Sequence, residues 1–157
     1  MYGGHFMTYD TLHLSRWSRF IDHTRGEYAT NADHVGVRRQ LARMAMAIRL
    51  RPERHGSMNL RSFMAMAEMI VNADSYIADG APAAHPAIMH DDYIETIVAY
   101  RIVKVICVSN GISRSRLLNK MDAALVWDDP GTGTVDIGIL TEERNADRVK
   151  CVALKDW

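Results

Sequence analysis

From Leu12 to Met121 apolar residues recur at intervals of three and four, the spacing that gathers them on one face of a helix. Leu12, Trp17, Phe20 and Ile21 mark a first helix within residues 8–28, with Gly26 as its stop. Val35, Val37, Leu41, Met44, Ala45 and Ile48 mark a second, capped by Asn31 or Asp33 and ended by Pro52. Its polar face carries Arg38, Arg39, Arg43 and Arg49. Ser57 is placed to cap a third helix, whose stripe is Leu60, Phe63, Ala67, Ile70 and Val71. Met58, Met64, Met66 and Met69 surround that stripe. Core filling is the first reading of these thioethers, with a helix–helix interface or an adaptable ligand pocket as the alternative.

The run from Gly80 to Pro86, GAPAAHP, reads as a loop. Beyond it Asp91 or Asp92 is expected to cap a fourth helix through Tyr93, Ile94, Ile97, Val98, Ile102, Val105 and Ile106. The stretch Ile102–Val108 is apolar on nearly every side and rich in β-branched residues, so a buried strand competes there. The 3.6-residue period of the preceding residues and the C-cap signal Asn110-Gly111 favour helix. Ser113 then caps a short helix with Leu117, Leu118 and Met121 inward. After Ala124 the period changes to two: LVW, a DDPGTG turn, VDIGILTEE and RVKCVALKD read as three strands, the last two joined by the polar link Arg144–Arg148.

The pattern therefore predicts a mainly α (α+β) chain. Residues 1–79 form an N-terminal helical region, 80–90 a loop, and 91–157 a helix-turn-helix followed by a small antiparallel β-hairpin or sheet. At 157 residues there is enough chain for a real core, and 48% hydrophobic with 24% charged residues is the balance of a water-soluble globular protein. Formal net charge is zero, so any anionic partner must be met by local charge. Charge is segregated: residues 38–51 hold five arginines and no acid, and residues 101–121 hold Arg101, Lys104, Arg114, Arg116 and Lys120 and no acid. For Arg38, Arg39 and Arg43, solvation is the first reading, ahead of contact with flanking phosphates or with acids across a dimer.

Other chemistry finds little purchase. The seven histidines have no pairing at i,i+3 or i,i+4, so no metal is expected, nor any cofactor. Cys107 and Cys151 lie in apolar runs and read as buried reduced thiols, with redox sensing as the sharper alternative. No membrane span or signal peptide is legible, and a cytoplasmic location follows as an expectation.

A helix-turn-helix followed by a charged hairpin is the arrangement of a winged helix, whose helix reads the major groove and whose wing reaches the minor groove. Gly111-Ile112-Ser113 at the turn, Leu117, Gly138-Ile139-Leu140-Thr141, the tip Asn145-Ala146-Asp147-Arg148 and the exit strand Val149–Leu154 resemble the MarR family of winged-helix regulators. That resemblance implies a homodimeric transcription regulator that binds double-stranded DNA and responds to a small-molecule effector. It also implies DNA contacts by Ser113, Arg114, Ser115, Arg116 and Asn119, with Arg148 as the wing arginine and Asp147 as the acid that steadies it. The charge pattern adds Lys120 on the backbone and Arg144 at the wing, and the resemblance places Asn145 at the wing tip. The family's C-terminal dimerisation helix has no counterpart before Trp157, so residues 8–79 are expected to supply dimerisation. A ligand pocket between the Met-rich helices and the helix-turn-helix is an open alternative, with no residue pattern that names its occupant. A rival reading makes Ala123–Trp127 a parallel strand, Gly131-Thr132-Gly133-Thr134 a phosphate-facing loop and Val135–Leu140 a helix. It would resemble a nucleoside deoxyribosyltransferase with Asp136 as nucleophile. The β-branched Val135, Ile137 and Ile139 favour strand over that helix.

Overall fold

A computed structural model describes residues 7–25, 37–72, 86–118, 132–138 and 140. A 3-10 turn, Tyr9–Thr11, leads into α1, Leu12–Arg25. Then follow α2, Val37–Leu50; α3, Pro52–His55; β1, Ser57–Asn59; and α4, Leu60–Val71. The last elements are α5, Pro86–Ser109; α6, Arg114–Leu118; and β2, Thr134–Asp136. Helices with a small two-stranded antiparallel sheet are the expected class. The proposed caps of α2, Asn31 and Asp33, and the stop Gly26 lie outside the described residues, as do Met121 and the LVW and RVKCVALKD strands.

The centre is α4. Every residue from Ser62 to Ile70 is buried, and a helix apolar on all sides must be packed on all sides. α1, α2, α5, α6 and both strands touch it, while α2 packs along α5. One core joins Leu12 and Leu41 to Phe63, Met66, Met69, Ile106, Leu117, Val135 and Ile137, so it draws on both sides of residues 80–90. Met58, Met64, Met66 and Met69 are all buried, which is the core-filling role. The β-branched run Ile102–Val108 is helical, and Ile102, Val103, Val105 and Ile106 all face inward.

Two caps differ from expectation. Ser57 does not cap α4, because Ser57–Asn59 is drawn into a strand. Asn59 takes the cap, its side-chain oxygen accepting from the Ser62 amide at 3.3 Å. Asp91 and Asp92 do not cap α5, because the helix already begins at Pro86, a residue suited to a first helical position.

The sheet differs more. The strand expected over 135–143 stops at Asp136. Gly138 lies in a turn, its amide donating to the Asp136 carboxylate at 2.7 Å, and the Leu140 amide donates to the Ile137 carbonyl at 3.0 Å. Among the described residues β2 pairs with β1, antiparallel, Met58 opposite Val135. Flanking bonds from Leu60 N to Gly133 O (2.9 Å) and from Ile137 N to Gly56 O (3.1 Å) extend the same ladder at both ends. The reason is burial: Met58, Val135 and Ile137 turn their side chains into the core beside α4, which a free hairpin would leave wet.

Arg39 and Arg43 are not simply solvated. Glu95 of α5 receives Arg39 Nε at 3.2 Å and Arg43 Nε at 3.3 Å, with a second bond to each guanidinium. Burial would raise the Glu95 carboxyl, but the hydrogen bonds and charges of Arg43 and Arg39 together hold it below the usual carboxylate range. A carboxyl depressed in the folded state adds stability that is complete above its unfolded value and is lost as pH falls through the lowered one. Glu95→Gln is therefore expected to lower stability at neutral pH, and the deficit should shrink as pH falls below the ordinary carboxylate range. Urea melts of parent and variant across that range check it; a deficit independent of pH contradicts it.

Candidate nucleic-acid interface

The basic segment begins where α5 ends. Gly111 has φ +66°, a backbone conformation glycine adopts without strain. Its amide donates to the Val108 carbonyl at 3.2 Å and the Ile112 amide to the Cys107 carbonyl at 2.8 Å, the bond pair of a Schellman stop. Ile112 is buried beside the end of α5, which fixes the direction in which the chain leaves. The Ser113 hydroxyl accepts from the Arg116 amide at 3.4 Å and lies 3.0 Å from the Ser115 hydroxyl, starting α6. Leu117 is fully buried against the core and holds α6 down.

That leaves Ser113, Arg114, Ser115 and Arg116 together on the exposed side of α6 and its cap. Arg101 is exposed and Lys104 half-buried on α5. From Arg101 to Leu118 there is no acidic residue, so the segment itself carries only positive formal charge. The other expected DNA contacts, Asn119, Lys120, Arg144, Asn145, Asp147 and Arg148, lie outside the described residues.

Two asparagines that the sequence pattern did not single out as site residues position this segment. β2 pairs with β1 on one edge, and on the other the Asn110 side chain takes the place of a strand. Its carboxamide oxygen accepts from the Asp136 amide at 2.9 Å and its NH2 donates to the Asp136 carbonyl at 2.8 Å. The same NH2 lies 2.9 Å from the Ile106 carbonyl, so the end of α5, the turn and β2 are joined through one side chain. Asn72, just past α4, donates from its NH2 to the Leu117 carbonyl at 2.8 Å and so satisfies one of the open carbonyls of α6. Asn110-Gly111 was legible as a helix stop; nothing in the local sequence announces a partner at Asp136.

The remaining chemistry is limited. Thr134–Asp136 is a strand, not the start of a helix after a phosphate loop, and Asp136 uses one carboxylate oxygen on its own turn. Cys107 is fully buried, and burial pushes its thiol up to about 12, which keeps it from acting as a thiolate near neutral pH. Among the described residues no group of His, Cys, Asp and Glu is arranged to hold a metal, and no helix is long and apolar enough to cross a membrane. Between α2, α4 and α5 there is a gap of about 10 Å³ beside Leu41, Met69 and Ala99, too small for an organic ligand. A larger hollow of about 360 Å³ lies on the outer side of α2, lined by Tyr9, Arg39, Gln40, Arg43, Met44 and Ala47. Tyr9 closes one side of it, its hydroxyl donating to the Met44 carbonyl at 2.8 Å. No protein-family model, curated protein or solved structure matches this chain.

Proposed function

We propose that this protein binds double-stranded DNA through α6 and regulates transcription as a homodimer of winged-helix type. The observation that carries the reading is the α5–turn–α6 unit. A glycine stop, a serine cap and one buried leucine leave Ser113, Arg114, Ser115 and Arg116 exposed in a segment without acids. In this reading Arg114 and Arg116 reach base edges and Ser113 and Ser115 bond phosphate oxygens, as the N-terminal part of a recognition helix does. Asn119 and Lys120, outside the described residues, are assigned by the same reading to the groove and the phosphate backbone. Arg144, Asn145, Asp147 and Arg148 serve as the wing. A twofold dimer would set two such helices about one DNA turn apart on a pseudo-palindrome.

The experiment is a mobility shift with duplex from upstream of the gene, run over a salt series. Binding should weaken steeply as salt rises, because phosphate contacts release counterions. Arg116→Ala is expected to cost about 1–3 kcal/mol of specific binding and to relax preference at one base pair. Parent protein that leaves duplex unshifted at low salt, or an Arg116→Ala variant that binds cognate and random duplex as the parent does, overturns the reading.

A further inference from the structure

The DNA contact proposed above leaves unused the arginines where α2 meets α3. Arg39 and Arg43, in the first half of α2, are bound by Glu95. Arg49, Arg51 and Arg54, at the other end, are exposed. Residues 49–61 hold four arginines against one acid, Glu53. Arg49 offsets the negative end of the α2 dipole, but Arg51 and Arg54 lie beyond α2 and have no such role.

The sheet links this corner to the turn that precedes α6. Ser57 stands opposite Asp136 on one edge of β2, and the Asn110 side chain bonds Asp136 from the other edge. Arg54 lies three residues before Ser57 and Arg114 four residues after Asn110. The two basic clusters, far apart in sequence, therefore flank the same end of the ribbon. Duplex DNA carries one charge per about 1.7 Å of its axis, both strands counted, so phosphates recur along any surface laid beside the groove.

We propose that Arg49, Arg51 and Arg54 form a second backbone clamp on the duplex that α6 enters, gripping phosphates beside the groove. The clamp rests on the DNA-binding reading. It adds affinity without sequence preference, since phosphates carry none. Leu50, 72% exposed between two of these arginines, is a spectator in this arrangement.

The test uses the full chain on cognate and random duplex, with affinity measured over a salt series. Replacing all three arginines by Arg49→Gln, Arg51→Gln and Arg54→Gln should reduce the slope of log affinity against log salt by about 3, about 1 for each phosphate no longer neutralised. The loss should be equal on both duplexes. Arg54→Gln alone should reduce the slope by about 1, and Leu50→Ser should leave it unchanged. If the slope of the triple variant equals that of the parent while Arg116→Ala still weakens binding, the clamp is overturned and the α6 reading survives. A loss of binding in Leu50→Ser equal to that in the triple variant also overturns the clamp, because an apolar contact would then carry the surface. Parent protein that binds no duplex at low salt overturns both.

Discussion

Arg16→Ala is expected to cost about 3–5 kcal/mol of folding stability, because it leaves a carboxylate buried without its cation. Arg16 of α1 and Glu68 of α4 form an ion pair inside the protein, with side chains only 3% and 8% exposed. Removing two charges from water is expensive, so the pair itself need not stabilise the fold over an apolar substitute. Breaking it is another matter: the desolvation cost of Glu68 remains and the attraction of Arg16 is gone. A domain of this kind is stable by about 5–15 kcal/mol, so the variant would lose a large share of its margin. With about 2–4 °C of melting temperature per kcal/mol at this size, a drop of roughly 10 °C follows. The double replacement Arg16→Met with Glu68→Leu should recover most or all of the loss, since it removes both charges together. Thermal or denaturant melts of the three proteins decide it. A single variant within about 1 kcal/mol of the parent, the order of magnitude set for exposed pairs, would mean the pair is wetter than its burial indicates.

The same pair shows where sequence reading reaches and where it stops. The apolar positions of α1, α2, α4 and α5 recur at helical spacing, so these helices were legible from their own residues. Arg16 and Glu68 were not legible as partners, since nothing within a helix period of either names the other. β1 was missed for a related reason. Ser57-Met58-Asn59 is three residues long, and its only reason to be extended is Val135, far along the chain. Asn59 lies just two residues from Ser57, and either could cap α4 by local chemistry alone; strand pairing decided between them. The hairpin expected after Ala124 came from alternation at Val135, Ile137 and Ile139. That alternation holds through Ile137, where both Val135 and Ile137 are buried, and fails at Gly138, where Asp136 folds its carboxylate back on the chain.

In the candidate interface the local signals were stronger. Gly after Asn at the end of an apolar helix, then Ser before Arg-Ser-Arg, specifies a stop and a start within four residues. The structure forms the stop through the backbone amides of Gly111 and Ile112 and the start through the Ser113 hydroxyl. What sequence could not supply is how the short helix is held in place. Asn110 follows the apolar run Ile102–Val108 at the end of α5. Its carboxamide takes the place of a further strand at Asp136, matching both the donor and the acceptor of that residue. A polar residue that closes an apolar helix is informative in this way: its partner lies elsewhere in the chain, and only the fold identifies it.

Leu117→Ala should lower stability by about 2–5 kcal/mol and uncouple α6 from the core. Leu117 is fully buried, whereas its neighbour Leu118 is 39% exposed, so one leucine carries the apolar anchoring of α6. Over its described residues, Arg114–Leu118, α6 rests on that anchor and on its serine cap. The Asn72 bond ends on the carbonyl of the same residue, and a shifted Leu117 would loosen it as well. In the DNA-binding reading, Arg114 and Arg116 would then sample many directions, and specific affinity should fall by at least about tenfold, or about 1.4 kcal/mol. Asn72→Ala is the milder companion: it removes one hydrogen bond of about 1 kcal/mol and keeps the leucine in place. Leu118→Ala, at an exposed position, should stay within about 0.5 kcal/mol of the parent. Melting curves and duplex titrations on the three variants separate anchoring from surface chemistry. Equal losses from Leu117→Ala and Leu118→Ala would show that α6 is not held through Leu117, and the fixed presentation of Ser113–Arg116 would fall with it.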